Sequence, residues 1–159
     1  MFFIKKNKNK YKSDDESIKV EKNESSIKTE QGLVFFAKPL LVDRQQEIYT
    51  YLKNEIKSNY QVLPKVRVLE FLNPVGNIDE QKRIILEIQN ITTDIIIIDD
   101  DRNVIAVILI EPITRTEFYE KKLSYTEKIC ELVDVKFTIL KDVIDIETNG
   151  VISEYLKRD

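Results

Sequence analysis

The stretch that decides the fold runs over residues 93–112: Thr93-Asp94-Ile95-Ile96-Ile97-Ile98-Asp99-Asp100-Asp101-Arg102-Asn103-Val104-Ile105-Ala106-Val107-Ile108-Leu109-Ile110-Glu111-Pro112. β-branched runs this dense, separated by one polar segment, predict two central strands buried on both faces of a sheet. Asp99–Asn103 is the turn between them. Just upstream, Ile84-Ile85-Leu86 is read as a further strand of the same series. Downstream, residues 114–133 carry helical periodicity, with Phe118, Tyr125, Ile129 and Leu132 on one stripe and Glu117, Glu120, Lys121, Lys122, Glu127 and Lys128 at exposed positions. Val135–Leu140 is the next strand. The intervening helix is a crossover long enough to set that strand parallel to Val104–Ile110, by a right-handed connection.

Further from this centre the signals are sparser. Asp43 is a reasonable N-cap, and Ile48, Leu52 and Ile56 recur at intervals of four, which predicts an amphipathic helix over residues 44–58. Residues 61–68 alternate, with Val62, Pro64, Val66 and Val68 on one side and Lys65 and Arg67 on the other. Pro64 cannot donate to a ladder, so this strand belongs at a sheet edge or a bulge. Phe71–Gln81 holds Asn73-Pro74 and Gly76-Asn77 and is read as a loop with room for a short turn of helix. Residues 141–159 are ambiguous in pattern, with Val151–Leu156 open to a short terminal helix. The fold class is therefore α/β (α+β), a central mixed β-sheet flanked by helices. Residues 1–31 are rich in Lys, Asn, Ser and Glu and are read as a disordered tail. A single domain is expected over residues 33–159.

Composition removes whole classes of chemistry. The 159 residues include no histidine and a single cysteine. No Ser-His-Asp triad, Cys-His pair or imidazole base can be assembled within the chain. Neither an intramolecular disulfide nor a Cys/His zinc site is available. With three glycines there is no Gly-rich phosphate loop. Cys130, on the predicted helix, reads as a buried structural thiol, because no base exists to activate it. The Asp99-Asp100-Asp101 run lacks the spacing of a calcium loop and reads as a solvated turn.

The net charge of −3 is not that of a strongly basic nucleic-acid binder, although residues 1–12 hold five lysines and no acid. Met1-Phe2-Phe3-Ile4 is too short for a signal core or a membrane span. No membrane span is expected in this chain, and the single cysteine fits a reducing, cytoplasmic setting.

The chemistry left is that of carboxylates with a hard cation. Asp94 heads a buried strand, where a charge is costly unless paired or metal-bound. Glu111 ends the other strand. If Asp94 lies opposite Leu109, then Asp94, Leu109 and Glu111 share one face, and Glu111 is the diagonal neighbour at roughly 7–8 Å. A slip of one residue puts Glu111 on the opposite face. In the first register Asp94 and Glu111 are the candidate catalytic and metal-ligating pair, with Mg²⁺ as the one cofactor the residues admit.

A resemblance enters at these residues. Lys38-Pro39-Leu40-Leu41, then Tyr49 and Leu52, then Tyr60-Gln61-Val62-Leu63-Pro64-Lys65-Val66-Arg67 resembles a bacterial domain-of-unknown-function family of the restriction-endonuclease-like, PD-(D/E)XK superfamily. Its pattern runs K-P-L-L-T-x-x-E-x-x-F-Y-x-x-L, Y-x-V-x-P-x-V-R, S-V-D-F-V-L and V-I-E-L-D-D, followed by a helix and a final strand. Thr93–Ile97 matches the third step and Ala106–Glu111 the fourth, so the resemblance covers about residues 37–140. It implies a nuclease-like fold acting on DNA with a two-carboxylate metal clamp.

The departures bear on that activity. The helix Glu of the pattern falls on Gln45, and the strand Glu used as a metal ligand falls on Leu109, which has no lone pair to offer. A His of the pattern falls near Arg115. The superfamily's lysine has no clear equivalent, and Lys121 and Lys122 read as solvated helix charges.

The resemblance thus implies a nuclease-like domain with impaired catalysis that acts on or binds nucleic acid, through Lys38, Lys65, Arg67 and Arg115. The alternatives are an active Mg²⁺-dependent nuclease using Asp94 and Glu111, or a protein-interaction domain with no nucleic-acid role.

Overall fold

A computed structural model describes residues 4–6, 25–28, 34–36 and 38–157. They divide into two units, Met1–Leu40 and Leu41–Asp159. In the first unit three short strands, β1 (Ile4–Lys6), β2 (Ser25–Lys28) and β3 (Val34–Phe36), pair antiparallel in that order. Most of the expected tail, residues 1–31, lies outside the described residues.

The second unit is built on the stretch quoted above. Its elements are α1 (Asp43–Glu55), β4 (Tyr60–Pro64), α2 (Ile78–Ile88), β5 (Ile95–Asp99), β6 (Val104–Ile110), α3 (Glu117–Leu132), β7 (Lys136–Leu140) and α4 (Ile144–Thr148). The sheet has the order β4-β5-β6-β7. β5 is antiparallel to both β4 and β6, and β6 is parallel to β7 across the α3 crossover. Pro64 lies on the edge strand β4, where its missing N–H costs least.

Both faces of the sheet are covered, which is why β5 and β6 read as continuous apolar runs. On one face Ile95, Ile97, Ala106, Ile108 and Ile110 pack with Ile48 and Leu52 of α1 and with Ile146 and Ile152 near the C-terminus. On the other, Ile96, Ile98 and Val107 pack with Cys130 of α3. Each fully buried Ile or Leu contributes about 1.5–3 kcal/mol relative to an exposed one, so this double layer carries most of the stability. Burial also pushes the Cys130 thiol up to about 11, which keeps it protonated and inert.

Four local expectations are corrected. Ile84–Leu86 is not a strand but part of α2, where the second turn passes into the third. The side chain of Asn77 caps that helix by accepting from the Glu80 N–H at 2.9 Å. Asp43 is the first residue of α1 with φ of 41°, and the cap position is Val42, with no side-chain cap bond. The buried face of α3 is that of Tyr119, Thr126 and Cys130, one position round from the expected stripe, so Phe118 and Leu132 are exposed. Near the C-terminus the helical turns are α4 and a single 3-10 turn at Ser153–Tyr155.

Candidate functional site

Asp94 precedes β5 by one residue and is 3% exposed. The sheet register decides its neighbours. Pro64 pairs with Ile95, and the Lys65 N–H donates to the Asp94 carbonyl at 2.9 Å, so Lys65 sits opposite Asp94 on the β4 side. Ile95 pairs with Ile108, which sets Leu109 opposite Asp94 on the β6 side. Lys65, Asp94 and Leu109 therefore form one row across three strands. This is the register in which Asp94, Leu109 and Glu111 share a face. Directly opposed side chains meet at about 5 Å, which brings the Lys65 ammonium to the carboxylate.

Both oxygens of Asp94 are engaged. Oδ1 accepts from Lys65 Nζ at 2.7 Å and from Gln45 Nε2 at 3.4 Å. Oδ2 accepts from the Ile110 backbone N–H at 2.9 Å and pairs with Lys122 Nζ at 3.1 Å. Lys122 thus corrects the expectation of a solvated helix charge. Its side chain is only 12% exposed and lies on the buried face of α3. Burial pulls its ammonium below the ordinary lysine range, and the Asp94 charge opposes that pull. The site is an ion triad, one carboxylate between two ammonium groups, closed by Leu109 at 0% exposure.

Glu111 has other partners. Its backbone N–H donates to the Leu140 carbonyl at 2.9 Å, holding the end of β6 against the end of β7. Its carboxylate takes Arg115 Nη2 at 2.6 Å and Lys141 Nζ at 3.7 Å, and the hydrogen bond from Arg115 holds its pKa below the usual range. Arg44, at the start of α1, donates to the Glu111 carbonyl. Asp94 and Glu111 share none of the cations paired with them. Among the described residues no group of three or more Asp, Glu, Cys or His gathers to hold a metal.

Tyr119, from the first turn of α3, feels the charge of both carboxylates. Its hydroxyl is buried and has no hydrogen-bond partner among the described residues. Burial, first of all, raises its pKa, and the charges of Glu111 and Asp94 add to the rise. The Arg115 guanidinium lies 5.9 Å from its ring centroid. An unmade buried hydrogen bond carries a desolvation penalty. Tyr119→Phe is therefore expected to hold or raise stability, by up to about 1 kcal/mol in urea unfolding. A loss larger than that would mean that the hydroxyl is bonded in solution.

The other sequence-predicted positions are scattered. Lys38 is exposed and belongs to the first unit. Arg67 is exposed and pairs with Glu70 at 2.5 Å. Arg115 is shared between Glu111 and Glu120. Lys65 is turned into the triad. Sequence reasoning missed Lys122, Gln45 as a partner of Asp94, Arg44, Lys141 and Tyr119. The signal for Lys122 was its spacing from Tyr119, Thr126 and Cys130, one face of a 3.6-residue helix.

Among the described residues no helix is long and apolar enough to cross a membrane. A family model described as "Protein of unknown function (DUF2726)" matches residues 37–154. Compared with curated proteins and with solved structures, the chain has no match. The chain belongs to the DUF2726 family.

Proposed function

We propose that this DUF2726 chain is a nuclease-like domain of the PD-(D/E)XK type that has lost metal-dependent cleavage and binds nucleic acid through its phosphates. The chain order α1, β4, α2, β5, β6, α3, β7 keeps the four motifs of the pattern in sequence, with a helix and a final strand after the fourth, and supports that fold assignment. One observation carries the loss of cleavage. Where the pattern needs a second carboxylate beside Asp94 the chain has Leu109, and both oxygens of Asp94 are taken by Lys65, Lys122, Gln45 and the Ile110 N–H. A divalent ion at Asp94 would have to displace two ammonium groups from a buried position, against their repulsion.

The same exchange supports the binding half of the reading. Lys65, Lys122, Arg115 and Lys141 meet three carboxylates, those of Asp94, Glu111 and Glu120, so this end of the sheet carries one more positive than negative charge among its ion pairs. Such an end favours an anion, and Arg115 and Lys141 are exposed enough to reach one.

The test is fluorescence anisotropy of DNA and RNA oligonucleotides over a salt series, with plasmid cleavage assayed in Mg²⁺ and Mn²⁺. Binding that falls steeply with salt, weakens in Arg115→Glu/Lys141→Glu, and is accompanied by no cleavage is expected. Cleavage would overturn the first half of the reading, and no binding at low salt would overturn the second.

A protein-interaction role has one observation in its favour. A groove of about 590 Å³, lined by Phe71, Leu72, Pro74, Ile84, Leu132 and Val133, lies open beside α2.

A further inference from the structure

The groove beside α2 measures about 590 Å³. Its walls are apolar: Phe71 and Leu72 from the chain before α2, Ile84 and Ile88 from α2, and Ile129 and Leu132 from α3. Ligand pockets run from about 300 to 1,000 Å³ and combine such walls with a few placed polar groups. Two charged residues line this one, Glu70 and Arg102. Glu70 is neutralised by Arg67 at 2.5 Å. Arg102 belongs to no ion pair among the described residues.

The turn between β5 and β6 sorts its charges by face. Asp99, Asp100 and Asp101 line a separate recess with Tyr60 and Ile105, which pack on the α1 side of the sheet. Arg102 and Asn103 line the groove with Val104 and Val135, which pack on the α3 side. The three acids and the one guanidinium thus border different cavities. Asn103 is tied back to Asp99, donating to its Oδ2 at 3.1 Å. The Arg102 N–H donates to the Asp99 carbonyl at 3.0 Å, which fixes the backbone that carries the guanidinium. The groove therefore combines apolar walls with one unpaired positive charge.

We propose that this groove is a binding site for a small apolar acid, a molecule with a hydrocarbon body and one carboxylate. The body buries its surface against the apolar walls. The carboxylate takes the Arg102 guanidinium, whose planar fork matches it with two hydrogen bonds. Apolarity alone would admit a protein face equally well, and the unpaired charge is what selects an acid. The groove lies beside the first residues of β6 and β7, whereas Asp94 bonds the last residue of β6. The two sites are separate, and the proposal stands or falls independently of nucleic-acid binding.

Isothermal titration calorimetry of the full chain with decanoate, decanol and decylammonium tests it. Decanoate is expected to bind as one molecule per chain. The alcohol and the ammonium should each bind about tenfold more weakly, the scale of one lost charge-assisted hydrogen bond. Arg102→Asn removes the charge and keeps a residue that tolerates the φ of 67° found there. It should weaken decanoate about tenfold and leave the weaker binding of decanol unchanged. Leu132→Glu, at a side chain 75% exposed, should abolish binding of both with an unchanged unfolding midpoint. No binding of decanoate, several equivalents per chain, or equal affinity for acid and alcohol would each overturn the proposal. So would an Arg102→Asn or Leu132→Glu variant that binds decanoate like the parent.

Discussion

Asp94→Ala is expected to destabilise the domain by about 3–5 kcal/mol, the scale of breaking a buried ion pair by removing one partner. The substitution leaves Lys65 and Lys122 facing each other without a counter-charge and leaves the Ile110 N–H without its acceptor. A domain of this size has about 5–15 kcal/mol in all, so the loss is a large share. The measurement is urea unfolding, read as a fall in midpoint at constant slope. An Asp94 held ready for a metal and otherwise unpartnered would behave in the opposite way, because removing it would relieve a buried charge. The sign of the change therefore separates a triad carboxylate from a vacant ligand.

The second large effect concerns the lysines. Lys65→Met/Lys122→Met should cost about 3 kcal/mol at neutral pH, since it strands the Asp94 carboxylate in a buried position. The stranded carboxylate should then carry a raised pKa in the folded state. The folded chain would bind the proton more tightly than the unfolded one, so stability should recover as pH falls through that raised value. Adding Asp94→Leu should return the triple variant to within about 1 kcal/mol of the parent, because an ion group replaced by apolar residues of similar volume is often neutral or better. A double variant as stable as the parent at neutral pH would mean that the lysines do not hold Asp94. Urea unfolding at several pH values reads all three.

How far the sequence revealed this molecule depends on which residues are considered. β5 and β6 were legible because burial on both faces leaves no polar positions to confuse the period. The parallel placement of β7 followed from the length of α3 alone. Ile84–Leu86 was not legible as helix by apolarity, since three apolar residues fit either period. The deciding signal was Asn77 with Glu80 three residues on, a helix start of the capping-box kind. At α3 the large apolar residues Phe118 and Leu132 drew the stripe to the wrong face, while the buried face holds Lys122 and Thr126, which hydropathy cannot place inside. At the site, the row of Asp94 and Leu109 could be stated from strand alternation as one of two registers. The second cation of the triad could not, because it comes from a helix whose rotation the sequence left open.

Mn²⁺ titration followed by amide NMR tests most directly whether Asp94 is occupied by the chain itself. Mn²⁺ broadens only nearby nuclei, and the parent chain serves without substitution. The prediction is that the amides of Asp94, Ile110 and Glu111 keep their line widths at stoichiometric Mn²⁺, with any broadening confined to exposed carboxylates such as those of the Asp99–Asp101 turn. Selective broadening centred on Ile110 and Glu111 would contradict it and would return the pair Asp94 and Glu111 to the role of a metal clamp.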